Sequence, residues 1–154
     1  MSGWHALTDM TAMTVMIDTN VVLDVLAVRK PHFDSSYAAL CKLLSCKAVC
    51  LFSASAATDV FYILRKYLQS AHEARLCLRR ISLFLSFADV LASDVQNALA
   101  GEAGDLEDEL VSIVAQRNGV RFILTRDSKG FLASAVPAVT PDDFLRGYNG
   151  NDLN

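Results

Sequence analysis

Five aspartates carry most of the chemistry that this chain advertises. Asp18 ends the mostly apolar run Thr14–Ile17, and Thr19 and Asn20 after it open a helical stretch through Val21, Val22, Leu23, Asp24, Val25 and Leu26. Asp59 stands about one turn into another helical stretch. Asp105 and Asp108 are three apart and so share a helix face, and Asp127 lies two residues past Thr125, where a further apolar run ends. A carboxylate between a strand and the helix that follows it faces the crevice where open α/β sheets bind ligands. Carboxylates gathered in such a crevice repel one another unless a cation joins them. Their hard oxygens suit Mg²⁺ or Mn²⁺, ions that bind substrate phosphates, activate water and neutralise charge developing on a phosphodiester. The chain has no glycine-rich phosphate loop, so the pattern favours metal-dependent hydrolysis over nucleoside triphosphate binding.

Each acid also has a plain structural use. Asp18 and Asp105 make good helix N-caps, with Asp108 as the third residue of its helix, while Asp59 suits a solvated helix position and Asp127 a turn. Asp24, six residues past Asp18, is a weaker ligand candidate, and Glu102, Glu107 and Glu109 read as surface charges. His5, His32 and His72 are scattered, and no serine sits in a nucleophile elbow, which excludes a serine or cysteine triad. A receiver domain is excluded as well, since the paired acids expected after the first strand are missing.

The elements that must position these acids alternate. Strands are expected at Thr14–Ile17, Ala48–Phe52, Asp89–Ala92, Arg121–Thr125 and Pro137–Val139. Helices are expected at Thr19–Leu26, Phe33–Cys46, Ala54–Gln69, His72–Ser86, Ser93–Ala100 and Asp105–Asn118, with a turn at Phe131–Ala135 and a short helix opening at Thr140-Pro141. Strands separated by helices imply a three-layer α/β/α sandwich on a parallel sheet of about five strands. The expected organisation is an extension over 1–13, one domain over 14–145 and a tail over 146–154.

The chain of 154 residues is 53% hydrophobic, with a mean hydropathy of +0.31, yet no apolar run reaches the roughly 20 residues of a membrane span. The surplus points to a thoroughly buried sheet and to an apolar surface covered by a partner. The stretch His72–Ser86, apolar over much of its circumference, is the candidate homodimer face. A net charge of −3 means that any contact with nucleic acid must come from local basic patches or bound metal. Cys41, Cys46, Cys50 and Cys77 show no CxxC spacing and read as free thiols of a reducing cytoplasm, and the N-terminus lacks the pattern of a signal peptide.

The segments MIDTNVVLDVL (16–26), SASAATDVFYILRK (53–66), GDLEDELVSIVAQRNGVRFILTRD (104–127) and SAVPAVTPDDFL (134–145) resemble the PIN domain family, and within it the bacterial group related to VapC-type toxins. The resemblance implies a metal-dependent endoribonuclease acting on single-stranded RNA. By position it makes Asp18 the first acid, Asn20 its polar neighbour, Asp59 the second acid, Asp108 the third and Asp127 a fourth; Asp105, on the same helix face as Asp108, is a further candidate metal ligand. Asn20 and Thr125 would position substrate, and Arg126 and Lys129, or Arg65 and Lys66, would meet RNA phosphate. Two departures stand out: position 59 holds Asp where Glu is usual, and Gly130 stands where an acid often follows the TRN-like segment. The resemblance leaves two roles beside plain RNA hydrolysis. One is a toxin clamped by an antitoxin, and the other a catalytically weak scaffold that binds RNA or protein.

Overall fold

The computed structural model describes residues 13–102 and 104–147, so most of the expected extension and tail lies outside the described residues. Five strands form one parallel sheet in the order β3-β2-β1-β4-β5: β1 (Thr14–Ile17), β2 (Val49–Ser53), β3 (Ser86–Ala88), β4 (Phe122–Leu124) and β5 (Ala138–Val139). The chain builds outward from β1 to β2 and β3, then returns to place β4 and β5 on the other side of β1. β1 pairs Met16 with Leu51 on one side and with Ile123 on the other. The topological switch therefore falls at β1, and a crevice opens beyond its carboxyl end.

Strand alternation sorts the core into two layers. Val15, Ile17, Phe122 and Leu124 face one apolar cluster together with Val22, Leu43, Leu64 and Phe144. Those partners come from α1 (Thr19–Leu26), α2 (Phe33–Ser45), α3 (Ala57–Leu68) and α7 (Pro141–Leu145). Met16 and Ile123 face the opposite cluster, whose helical partners Val111, Val114 and Ala115 lie on α6 (Leu106–Arg117). The sheet is thus sandwiched between helical layers, as expected.

Most boundaries moved by a residue or two, the expected turn Phe131–Ala135 is the 3₁₀ turn Ser128–Phe131, and four larger differences stand out. Met13, left in the extension by its sequence, is buried, and its carbonyl accepts from the Val49 amide. The long helix expected from Ala54 opens as a 3₁₀ turn, Ala54–Ala56, before α3 begins. The helix expected over His72–Ser86 is α4, Ala71–Ile81, and the residues beyond it turn into β3. β3 consequently precedes the expected Asp89–Ala92, and α5 (Ala92–Ala100) follows. Leu83 and Phe84, assigned to the apolar helix by periodicity, are exposed on the connection. Among the described residues no helix is long and apolar enough to cross a membrane. All four cysteines are free, and burial pushes the Cys50 thiol up to about 11.

Candidate active site

β1 delivers Asp18 to the switch point. The Asp18 amide donates to the Leu124 carbonyl (3.0 Å), which continues the β1–β4 ladder, and the side chain caps α1 by accepting from the Thr19 amide (2.9 Å). Capping does not exhaust this carboxylate. Thr125 Oγ1 donates to Asp18 Oδ2 at 2.7 Å and Asn20 Nδ2 at 3.1 Å, so both oxygens are held by neutral donors. Thr125 Oγ1 in turn accepts from the Asp127 amide (3.0 Å), and Asn20 Oδ1 accepts from the Arg126 amide (3.2 Å). The Thr125 and Asn20 side chains therefore fasten the loop after β4 to the start of α1.

On the opposite wall Asp105 caps α6, accepting from the Asp108 amide at 3.0 Å. The cap sets Asp108 on the first turn facing the crevice. Asp127 caps the 3₁₀ turn Ser128–Phe131 by accepting from the Gly130 amide (3.3 Å). A Cβ at Gly130 would fall 2.5 Å from Asp108 Oδ2 and 3.1 Å from Asp127 Oδ2. Both carboxylates lean over the glycine, into space that any side chain would fill.

The charges act on one another. Burial raises the pKa of Asp18; the bonds from Thr125 and Thr19 oppose this, and Asp127 and Asp105 raise it further. Desolvation, then Asp105, Asp18, Asp127 and Glu107, push Asp108 up to about 6. Glu107 is also raised, first by desolvation and then by Asp59, Asp18 and Asp105, and it accepts from Thr19 Oγ1 at 3.4 Å. Among the described residues the ion pairs formed are Arg29 and Arg126 with Asp24, Lys30 with Asp34, Arg117 with Asp94 and Arg146 with Asp143. None of them touches the cluster.

The structure thus brings Asp18, Asp105, Asp108 and Asp127 within range of one another's charge. Asp59 does not join them directly: it is exposed on the first turn of α3, and its charge reaches the cluster through Glu107. Glu107, taken as a surface charge, belongs to the cluster; the signal that placed it was the Asp105 cap, which puts 106–108 on the helix end facing Asp18. Arg126 departs from the expected phosphate contact, because its Nε donates to buried Asp24 at 2.6 Å. Lys129 is exposed on the 3₁₀ turn.

These carboxylates suit a hard divalent cation by their donor chemistry, their mutual repulsion and the gap over Gly130. As placed, no group of three or more His, Cys, Asp or Glu among the described residues is disposed to hold an ion.

A doubly wound parallel sheet with an acid cluster at its switch point defines the class, and a family model described as the PIN domain matches residues 14–129. The chain belongs to the PIN domain family. It is 27% identical over 145 residues to Ribonuclease VapC1 of Aquifex aeolicus (strain VF5), covering 91% of this chain and 99% of that protein. Its fold is similar to that in a crystal structure of VapBC2 from Rickettsia felis bound to a DNA fragment from their promoter (TM-score 0.63, 18% identity, 83% of this chain and 98% of that one). It is also similar to Mycobacterium tuberculosis VapC20, described as a sarcin-ricin loop cleaving toxin (TM-score 0.56, 14% identity, 88% and 97% covered).

Proposed function

We propose that this chain is a metal-dependent endoribonuclease that hydrolyses single-stranded RNA, and that it is the toxin of a toxin–antitoxin pair working in the cytoplasm. The observation that carries this reading is Asp18: a buried carboxylate held only by neutral donors and facing other acids, at the switch point of the sheet. The similarity to a protein named as a ribonuclease, over nearly its whole length, supports the activity. The fold shared with VapBC2 supports an antitoxin partner.

Asp18, Asp108 and Asp127 would hold one or two Mg²⁺ or Mn²⁺ ions, with Asp105 and Glu107 adding negative charge and Asp59 at the rim. The bound ion would neutralise the phosphodiester and acidify the attacking water. Thr125 and Asn20 fix the direction of the Asp18 carboxylate by donating to it. Asp108, raised to about 6, is mostly ionised at neutral pH and could serve as a ligand there, whereas below about pH 6 a cation would have to compete with its proton. In the same reading a second copy covers the exposed Leu83, Phe84 and Phe87, so light scattering should give a dimer.

The test is cleavage of end-labelled single-stranded RNA in Mn²⁺ or Mg²⁺ by the wild type and Asp18→Asn, with an EDTA control. Cutting that needs both the metal and Asp18 is expected. Folded, partner-free wild type that never cuts would sink the reading and leave an RNA- or protein-binding scaffold, with exposed Asp59 as the first reason.

A further inference from the structure

An open cleft of about 630 Å³ runs between α3 and α4, outside the acid cluster. Phe61 and Tyr62 line it from α3, their rings edge-to-face at 5.7 Å, and His72, Arg75 and Arg79 line it from α4. The Arg75 guanidinium stands 5.4 Å from the centre of the Phe61 ring, which holds this cation against the aromatic wall. Tyr62 remains 58% exposed, and both arginines are exposed. Residues 57–81 carry Arg65, Lys66, Arg75, Arg79 and Arg80 against Asp59 and Glu73, in a chain whose net charge is −3. Basic charge is therefore concentrated on this helical arm. The cleft starts at Ala57 and Thr58, beside Asp59, whose charge already acts on Glu107 of the cluster.

A guanidinium held on one aromatic ring, a second ring left exposed and a cleft that ends beside Asp59 have the chemistry of a single-strand channel. Guanidinium groups meet successive phosphates, and aromatic rings stack bases without reading their sequence. An apolar protein helix would use the aromatic wall but would leave the arginines unanswered; a polyanion uses both. We propose that the α3–α4 cleft is the subsite for the single-stranded RNA flanking the scissile bond, with Arg75 and Arg79 on phosphates and Tyr62 stacked on a base. The identity of the polyanion rests on the ribonuclease reading, but the test does not require cutting.

The test is fluorescence anisotropy of a short fluorescein-labelled single-stranded RNA in EDTA, over a series of salt concentrations. Each phosphate contact removed from a single strand lowers the slope of log affinity against log salt by about 0.7, so Arg75→Gln with Arg79→Gln should lower it by about 1.4. Tyr62→Ala should bind roughly tenfold more weakly with its slope unchanged, and Tyr62→Phe should restore binding. Wild type that binds no RNA overturns the proposal, as do unchanged affinity and slope in these variants, which would make the cleft a protein-docking face. An equal loss from Lys47→Gln, at the amino-terminal pole of the sheet, overturns it too, by showing general attraction. Wild type that binds through the cleft yet never cuts sinks the nuclease reading alone. Cutting with unchanged binding in the variants sinks the cleft alone.

Discussion

Two buried aspartates belong to α1, Asp18 as its N-cap and Asp24 within it, and they live under opposite rules. Asp24 is fully buried and answered by cations: Arg126 Nε lies 2.6 Å from it and Arg29 Nε 3.6 Å, and Ser36 Oγ donates at 3.0 Å. Asp94 follows the same pattern, with Arg117 holding its carboxyl below the usual range. Asp18 is almost as buried and has only neutral donors, with further acids across the crevice. Folding alone gives no reason to gather unmatched negative charge, whereas a matched buried pair fixes geometry. The contrast separates carboxylates that build this protein from those that equip it.

The sharpest way to break that contrast is to neutralise each aspartate in turn. Asp18→Asn should cut RNA about a thousandfold more slowly, since several kcal/mol of charge stabilisation depend on the acids there, while its denaturation midpoint holds or rises. Asp24→Asn should instead lose about 3–5 kcal/mol in urea denaturation, because two arginines are left facing an uncharged group. An Asp24→Asn protein as stable as the wild type would erase the distinction. Next in size is Thr125→Val, which removes the 2.7 Å donor to Asp18 while keeping its shape. Mn²⁺ affinity by calorimetry should fall about 10–100-fold, as for other groups that orient metal ligands. Unchanged affinity would reduce Thr125 to a strand-end residue.

Asp108 provides a pH test. Its folded pKa of about 6 lies above the ordinary 3.8, so between those values the native state binds more protons than the unfolded chain. Its contribution therefore lowers stability as pH rises through that window, and the full penalty stands above pH 6. Melting of metal-free protein should decline less steeply from pH 4 to 7 in Asp108→Asn than in the wild type, and Mg²⁺ should stabilise the wild type more at pH 7 than at pH 5. Equal slopes would show that neither burial nor the neighbouring acids raise Asp108. The smallest effect is expected from Gly130→Ala, whose Cβ would press on Asp108 Oδ2. Stability should change by about 1 kcal/mol or less, with Mn²⁺ bound a few-fold more weakly.

What the sequence disclosed follows from how local each feature is. The β1–Asp18–α1 turn was legible because strand, acid and helix are contiguous, and the parallel sheet because the apolar runs alternate with helical periodicity. β3 was misplaced because Leu83–Phe87 continues the apolar period of α4 with no glycine or proline to end it. A half-exposed edge strand of three residues gives little alternation to counter that period. The Arg126–Asp24 pair was invisible for a different reason: its members are 102 residues apart and meet only once β4 lies beside β1. Glu107 stood one position from Asp108, where only the cap geometry could reveal which way the first turn of α6 faces.

The same separation sets a clock on synthesis. Asp18 emerges early, but Thr125, which aims its carboxylate, lies 107 residues later. At the usual elongation rate of about 5–20 residues per second, roughly 5–20 s pass before the second half of the crevice leaves the ribosome. Through that interval β1 has no β4 to pair with, and the chain holds its first acid without the others. The acid cluster therefore comes together only once β4 and the Asp127 loop have been made, and a ligand of the assembled crevice has nothing to bind before then.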